Sequence, residues 1–355
     1  MFPGNRRQQE DEYEEEEYGD NPQEDYEEVE GDENIIVHQE RGLPDNEDFE
    51  YSNLQGKKRA LFVGINYVGM DGQLSGCIND VNNMSNFIQE NFDFEEILML
   101  TEESDDPDLI PTKANIERAF EWLVEDPQPN DSLFFHYSGH GTRVEDDTGD
   151  EEDGFDEAIC PLDYEENGVI IDDDIHRILV KPLPAGCRLT ALFDSCHSGS
   201  VMDLPYLYTT KGMIQSNNPV HGIYNAVNNV KKAILKGDHQ KAMVRLEAIT
   251  SRLKQAALSD KWKSELSSQA DVVMFSGCKD KQTSADTSED TDESEYNFQN
   301  TGALSWAFIT VLSEEPQLSY SELLQKIHKL LQTKYEQKPQ LSSSHPMDMG
   351  YTFAI

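Results

Sequence analysis

The chain has 355 residues, with 70 Asp and Glu against 28 Lys and Arg, a formal net charge of -42. Such a polyanion repels phosphate, which excludes nucleic acid as a partner and favours basic peptides and divalent cations. Five scattered cysteines, Cys77, Cys160, Cys187, Cys196 and Cys278, suit neither a disulfide framework nor a CxxC metal pair. There is no apolar N-terminal region and no run approaching ~18 apolar residues. The expectation is a soluble protein without membrane contact, in the cytoplasm, with the nucleus as an alternative.

In chain order, residues 1–56 are crowded with Asp and Glu and carry too little apolar surface to offset the entropy of ordering. They are expected to be a disordered acidic extension, either a solvating tail or a removable pro-segment, with Ile35, Ile36 and Val37 as a short docking patch. The body is expected over 57–355. Arg59–Tyr67 reads as a buried strand. A helix follows, capped by Ser75, with Cys77, Val81, Met84 and Ile88 along one face. Glu96–Leu100 is a second strand. Thr112 caps a helix bearing Ile116, Phe120 and Leu123. Asp131–Tyr137 is a third strand with His140 at its exit. This alternation implies a mainly parallel sheet with right-handed crossovers. Leu189–Phe193 is the fourth strand and runs straight into Ser195, Cys196, His197, Ser198 and Gly199. An insert at about 222–263 has the pattern of two amphipathic helices. Val272–Phe275 is another strand, Asp286–Asn300 an acidic loop, and Thr301–Leu312 and Ser319–Gln332 the closing helices. Tyr351–Ile355 is expected as a last strand.

Ligands bind open α/β sheets at the carboxyl ends of the strands. There His140 and Cys196 would meet if their strands were neighbours, placing a nucleophile beside its base. A free thiol titrates near pH ~8.5, so Cys196 needs such a partner to attack at neutral pH. His136 and His197 are rival bases that lack the glycine-flanked exit. Asp194 lies two residues before the thiol on the same strand face. A carboxylate there raises a thiol pKa rather than lowering it, so Asp194 is better read as a substrate anchor selecting Arg or Lys. Zinc through His136 and His140 is rejected, because Tyr137 stands where HExxH needs Glu. The aspartate-rich loops suit the hard ion Ca2+, although an EF-hand fails, its first position falling on Gly149.

The segments HYSGHG (136–141) and DSCHSG (194–199) resemble the His and Cys motifs of metacaspases, the caspase-like cysteine peptidases of fungi, protists and plants. SGCINDV (75–81), DGFDEAICPLD (153–163), DDDIHRILV (172–180) and SGCKDKQTSADT (276–287) extend the likeness over nearly everything from Lys57 onward, in the shape of the type I branch. The resemblance implies an α/β, caspase-like fold with a mainly parallel central sheet flanked by helices. It implies a calcium-dependent endopeptidase that cleaves after Arg or Lys through a Cys196/His140 dyad and a thioester acyl-enzyme. The N–H groups of Gly141 and Cys196 would form the oxyanion hole. Cys77, Ser138 and Asp194 would line the pocket for the basic residue, and Asp156, Asp172, Asp173 and Asp203 would be the calcium ligands. Monomers are implied, as are roles in cell death, stress response or proteostasis. Self-cleavage is expected in the polar insert after the Cys strand, at Lys211 or Lys231–Lys232. No QACRG segment occurs, so a preference for Asp is not expected. No acid is assigned to orient His140. The competing classes are a non-catalytic calcium-responsive binding protein and a legumain-like peptidase.

Overall fold

Residues 50–145, 155–195, 201–208, 268–277, 286–288, 299–332 and 338–355 are described by the structure, a computed structural model. The acidic extension up to residue 49, Cys196 and His197, the helical insert with its candidate cleavage lysines, and Cys278 lie outside the described residues.

The strands are apolar on both faces, as parallel strands sandwiched between helices must be. β1 (Lys58–Gly64), β2 (Glu96–Thr101), β3 (Ser132–Ser138), β7 (Arg188–Asp194) and β9 (Asp271–Ser276) run parallel in the order β2-β1-β3-β7-β9. β12 (Gln340–Ser343) adds antiparallel to β9, and β8 (Tyr206–Tyr208) closes that edge. Between β3 and β7 in sequence, β4 (Gly141–Glu145), β5 (Phe155–Ile159) and β6 (Ile170–Ile171) form a separate antiparallel sheet. β10 (Asp286–Ser288) and β11 (Gln299–Gly302) form a two-stranded ribbon.

Period-two alternation sends strand side chains into two cores. Ala60, Phe62, Phe134, Leu192, Val273 and Phe275 join one core with α1 (Cys77–Phe92), α5 (Ala303–Glu314) and α6 (Tyr320–Gln332). Leu61, Val63, Phe135, Tyr137, Ala191, Phe193 and Met274 join the other. It lies with α2 (Lys113–Leu123) and with α4 (Asp172–Ile175), which continues as a π-helical turn to Val180. A four-residue helix, α3 (Tyr164–Asn167), precedes β6. No helix among the described residues is long and apolar enough to cross a membrane.

The expected strands, the four apolar positions of α1 and the Thr112 cap are present, Thr112 Oγ1 accepting from Asn115 N–H at 3.3 Å. Three expectations need correction. Gly76, not Ser75, is the N-cap of α1, and it offers no side-chain bond. Tyr351–Ile355 is not a strand: apart from a single bridge, Thr352 to Ser319, it runs beneath the helices, with the Phe353 ring against Phe92, Phe275, Phe308 and Tyr320. The last strand is instead Gln340–Ser343, whose one apolar residue, Leu341, gave no strand signal. The ends of the expected loop 286–300 are paired as the β10–β11 ribbon, which hydrogen bonding along the main chain builds without apolar content.

Candidate active site

The carboxyl ends of β1, β3 and β7 lie level, with Gly64 opposite Ser138 and Ser138 opposite Asp194. The chain leaves β3 through Gly139 and His140 and leaves β7 through Ser195 towards Cys196. The two strand exits expected to carry base and nucleophile are therefore nearest neighbours.

His140 is half-buried, and its ring lies against that of Tyr67, centroids 4.6 Å apart and planes 34° apart. Its Nε2 stands 2.6 Å from the carbonyl oxygen of Gly72. A carbonyl only accepts, so Nε2 carries the proton and Nδ1 is the basic nitrogen of the neutral ring. The orienting group for which no acid could be assigned is thus a main-chain carbonyl, which sequence does not reveal. Gly72 turns at φ 78°, a conformation that favours glycine.

His136 is excluded as a base. It is fully buried on the α5 side of β3, its Nε2 3.0 Å from Ser305 Oγ, and burial pushes its pKa down to about 3.

Gly141 opens β4 opposite Ile159. Because Cys160 N–H donates to the His140 carbonyl (3.0 Å), Gly141 and Ile159 form a non-hydrogen-bonded pair, and the Gly141 N–H is directed away from β5.

Beneath the strand ends, Cys77, Ser138 and Asp194 are all buried. Cys77 starts α1, its N–H donating to Asn66 Oδ1 at 2.9 Å. Ser138 Oγ donates to Asp80 Oδ2 at 2.5 Å, and Asp194 Oδ2 accepts the Ser305 N–H at 2.8 Å. Asp80 Oδ1 accepts the Gly302 N–H at 2.7 Å. Both carboxylates flank Gly302, where an added Cβ would lie 2.2 Å from Asp194 Oδ2 and 2.8 Å from Asp80 Oδ2. Asp80 was missed in the sequence. The signal was its i,i+3 spacing from Cys77, which puts both on one helix face. The two acids also serve structure, since they meet N–H groups at the start of α5.

The four aspartates expected to bind calcium fall in one region. Asp156 lies on β5 opposite Val144, and Asp172 and Asp173 open α4. Asp203 follows Met202, whose carbonyl meets His176 Nδ1 at 2.9 Å just beyond α4. Asp156, Asp172 and Asp203 are buried. Asp172 accepts from Glu157 N–H (2.8 Å) and Asp173 N–H (3.0 Å). Among the described residues no group of three or more His, Cys, Asp or Glu side chains is gathered to hold a metal ion. The donor chemistry of these carboxylates is of the hard-oxygen kind that suits calcium.

A parallel sheet that brings a carbonyl-oriented histidine to one strand exit, and a cysteine-bearing segment to the next, defines the class of cysteine hydrolases with a caspase-like sheet. A family model described as metacaspase, peptidase C14 domain, matches residues 58–205. Metacaspase-1 of Debaryomyces hansenii is 50% identical over 315 residues, covering 86% of this chain and 69% of the relative. Metacaspase-1 of Coccidioides immitis is 48% identical over 317 residues, covering 88% and 67%. Metacaspase-1A of Aspergillus fumigatus is 49% identical over 320 residues, covering 88% and 75%. A crystallised protein of Geobacter sulfurreducens superposes with a TM-score of 0.50 at 23% identity, over 82% of this chain and 95% of its own, a likeness of fold alone. The chain belongs to the metacaspase family and is a cysteine-type endopeptidase.

Proposed function

We propose that the protein cleaves peptide bonds after Arg or Lys, with Cys196 as nucleophile and His140 as base, in a calcium-dependent manner. The observation that carries the reading is the level pairing of β3 with β7, with Ser138 opposite Asp194. His140 Nδ1 takes the thiol proton of Cys196, the thiolate attacks the scissile carbonyl, and the imidazolium protonates the leaving amine. Water then hydrolyses the thioester. The N–H groups of Gly141 and Cys196 stabilise the oxyanion, a role supported by the outward direction of the Gly141 N–H.

The basic side chain of the substrate enters over Cys77 and Ser138 and meets the charge of Asp80 and Asp194. Two neighbouring buried carboxylates favour a cation and repel an acidic side chain. Asp156, Asp172, Asp173 and Asp203 would hold calcium, which supplies positive charge to offset that of the carboxylates. Calcium then favours self-cleavage after Lys211 or Lys231–Lys232. Roles in cell death, stress response or proteostasis follow from the family resemblance.

The test is hydrolysis of fluorogenic peptides ending in Arg, Lys or Asp, with millimolar-scale calcium (an estimate from weak loop sites) or with chelator. Arg and Lys peptides should be cut only with calcium, and Cys196→Ala should be inactive. Asp80→Asn and Asp194→Asn should each lower kcat/KM on Arg peptides by about tenfold or more, the loss of one charge-assisted contact. Preferred cleavage after Asp would end the specificity reading, and full activity in chelator would end the calcium reading.

A further inference from the structure

Two phenols grip the peptide unit of His140. In a narrow antiparallel pair, His140 and Cys160 would exchange two main-chain bonds. One is made, from Cys160 N–H to the His140 carbonyl at 3.0 Å. In place of the other stands the hydroxyl of Tyr67. The His140 N–H donates to Tyr67 Oη at 3.0 Å, and Tyr67 O–H donates to the Cys160 carbonyl at 2.6 Å. Tyr137 O–H donates to the His140 carbonyl at 2.7 Å. The Tyr137 hydroxyl also lies 3.2 Å from the Cys160 carbonyl and 3.2 Å from Tyr67 Oη, so the two phenols and the two carbonyls form one network.

We propose that Tyr67 is the positioning residue for His140, with Tyr137 as its second arm. The inference rests on the reading of His140 as the base. One short loop supplies three restraints: the Tyr67 hydroxyl on the main chain of His140, the Tyr67 ring against its imidazole, and the Gly72 carbonyl on its Nε2. The loop is itself anchored, since Glu102 accepts the N–H groups of Tyr67 (2.9 Å) and Val68 (3.3 Å). Tyr67 sits at φ 55°, an unfavourable conformation for a bulky residue that its surroundings must impose. Both phenols are fully buried, which raises their pKa values well above the usual range and keeps them protonated as donors. The clamp also explains Gly139: a Cβ there would lie 2.7 Å from Tyr137 Oη and 3.1 Å from Tyr67 Oη.

Tyr67→Phe keeps the ring and removes the bridging oxygen. In the full chain, kcat for Arg-peptide cleavage should fall on the order of ten- to a hundredfold, as for loss of buried hydrogen bonds. KM should stay within about twofold, because the substrate pocket is untouched. The acid limb of the kcat/KM pH profile should shift, and alkylation of Cys196 by iodoacetamide should slow in parallel; a merely structural tyrosine would move neither. A folded Tyr67→Phe protein with wild-type kcat and pH profile, beside an inactive His140→Ala, overturns the clamp and leaves the base reading standing. Activity in His140→Ala overturns both. Should Tyr67→Phe not fold, Tyr137→Phe removes the hydroxyl that holds the His140 carbonyl and gives the same readouts: reduced kcat at unchanged KM supports the clamp, and wild-type kcat and pH profile overturn it.

Discussion

At the scale of single residues, position decides which histidine can act. His136 and His140 are four apart, yet one is a core residue and the other sits at the rim. His136 Nε2 meets Ser305 Oγ, and its Nδ1 is buried without a partner among the described residues. Protonation would bury an unpaired charge, so burial holds the pKa at about 3. An unfolded chain takes up this proton below pH ~6.5, while the folded chain refuses it down to about 3. Stability therefore falls with acidification across that window, and His136 alone accounts for about 2 kcal/mol lost by pH ~5. His136→Gln keeps a polar partner for Ser305 and has no such titration. Urea unfolding at pH 7 and pH 5 should show a smaller acid loss in the variant than in the wild type; equal losses would contradict the assignment.

Elements were legible where apolar residues repeat and illegible where the main chain does the pairing. β1, β3 and β7 announce themselves as short, mainly apolar runs bounded by turn residues, and α1 and α2 as 3.6-period faces. From these came the parallel sheet; the adjacency of the two exits, only a condition in the sequence, is given by the pairing of β3 with β7. β10, β11 and β12 carry almost no apolar residues, so nothing local marked them, and Tyr351–Ile355 misled because Phe353 and Ile355 pack beneath helices rather than into a sheet. The site shows the same division. His140 and Asp194 follow from strand ends and Ser138 from the family resemblance, whereas the Gly72 carbonyl and the Tyr67 hydroxyl come from a loop whose path only the tertiary structure fixes. The β10–β11 ribbon has a consequence for the proposed substrate pocket, because it delivers Gly302 to the two carboxylates. Gly302→Ala would drive a methyl against the Asp194 and Asp80 carboxylates, which must shift to admit it. It should cost roughly 1–3 kcal/mol, the usual penalty of overpacking, and lower kcat/KM on Arg peptides about tenfold or more through the displaced charges. Unchanged values of both, from urea unfolding and peptide kinetics, would show that the carboxylates do not border the pocket as described.

At the scale of the whole molecule, the active rim and the opposite end of the sheet are held by different means. The rim uses hydrogen bonds to the main chain. The far end uses a buried charge cluster at the first residues of β7 and β9. Arg188 Nε donates to Asp271 Oδ2 at 2.8 Å, its terminal nitrogens reach Asp271 and Tyr320 Oη, and one also meets the Ala354 carbonyl at 3.2 Å. Asp271 Oδ1 faces His345 Nε2 at 3.0 Å. Burial alone would raise the Asp271 carboxyl, but Arg188 and His345 overcome it and hold its pKa below the usual carboxylate range. Two central strands, α6 and the final extended segment are thus tied to one guanidinium. The pair is nearly devoid of solvent, so removing either partner strands a charge, at about 3–5 kcal/mol. Removing both replaces an expensive desolvated pair with neutral groups and should cost less than the two single changes together. Arg188→Met and Asp271→Asn, singly and combined, compared by urea unfolding, should therefore give a double variant more stable than the sum of the singles implies. Strict additivity would mean that the two charges do not share one desolvated site. The cluster sits at the sheet end remote from His140, so peptide cleavage by the folded double variant should keep the wild-type KM. A changed KM would show that the far end of the sheet sets the geometry of the rim.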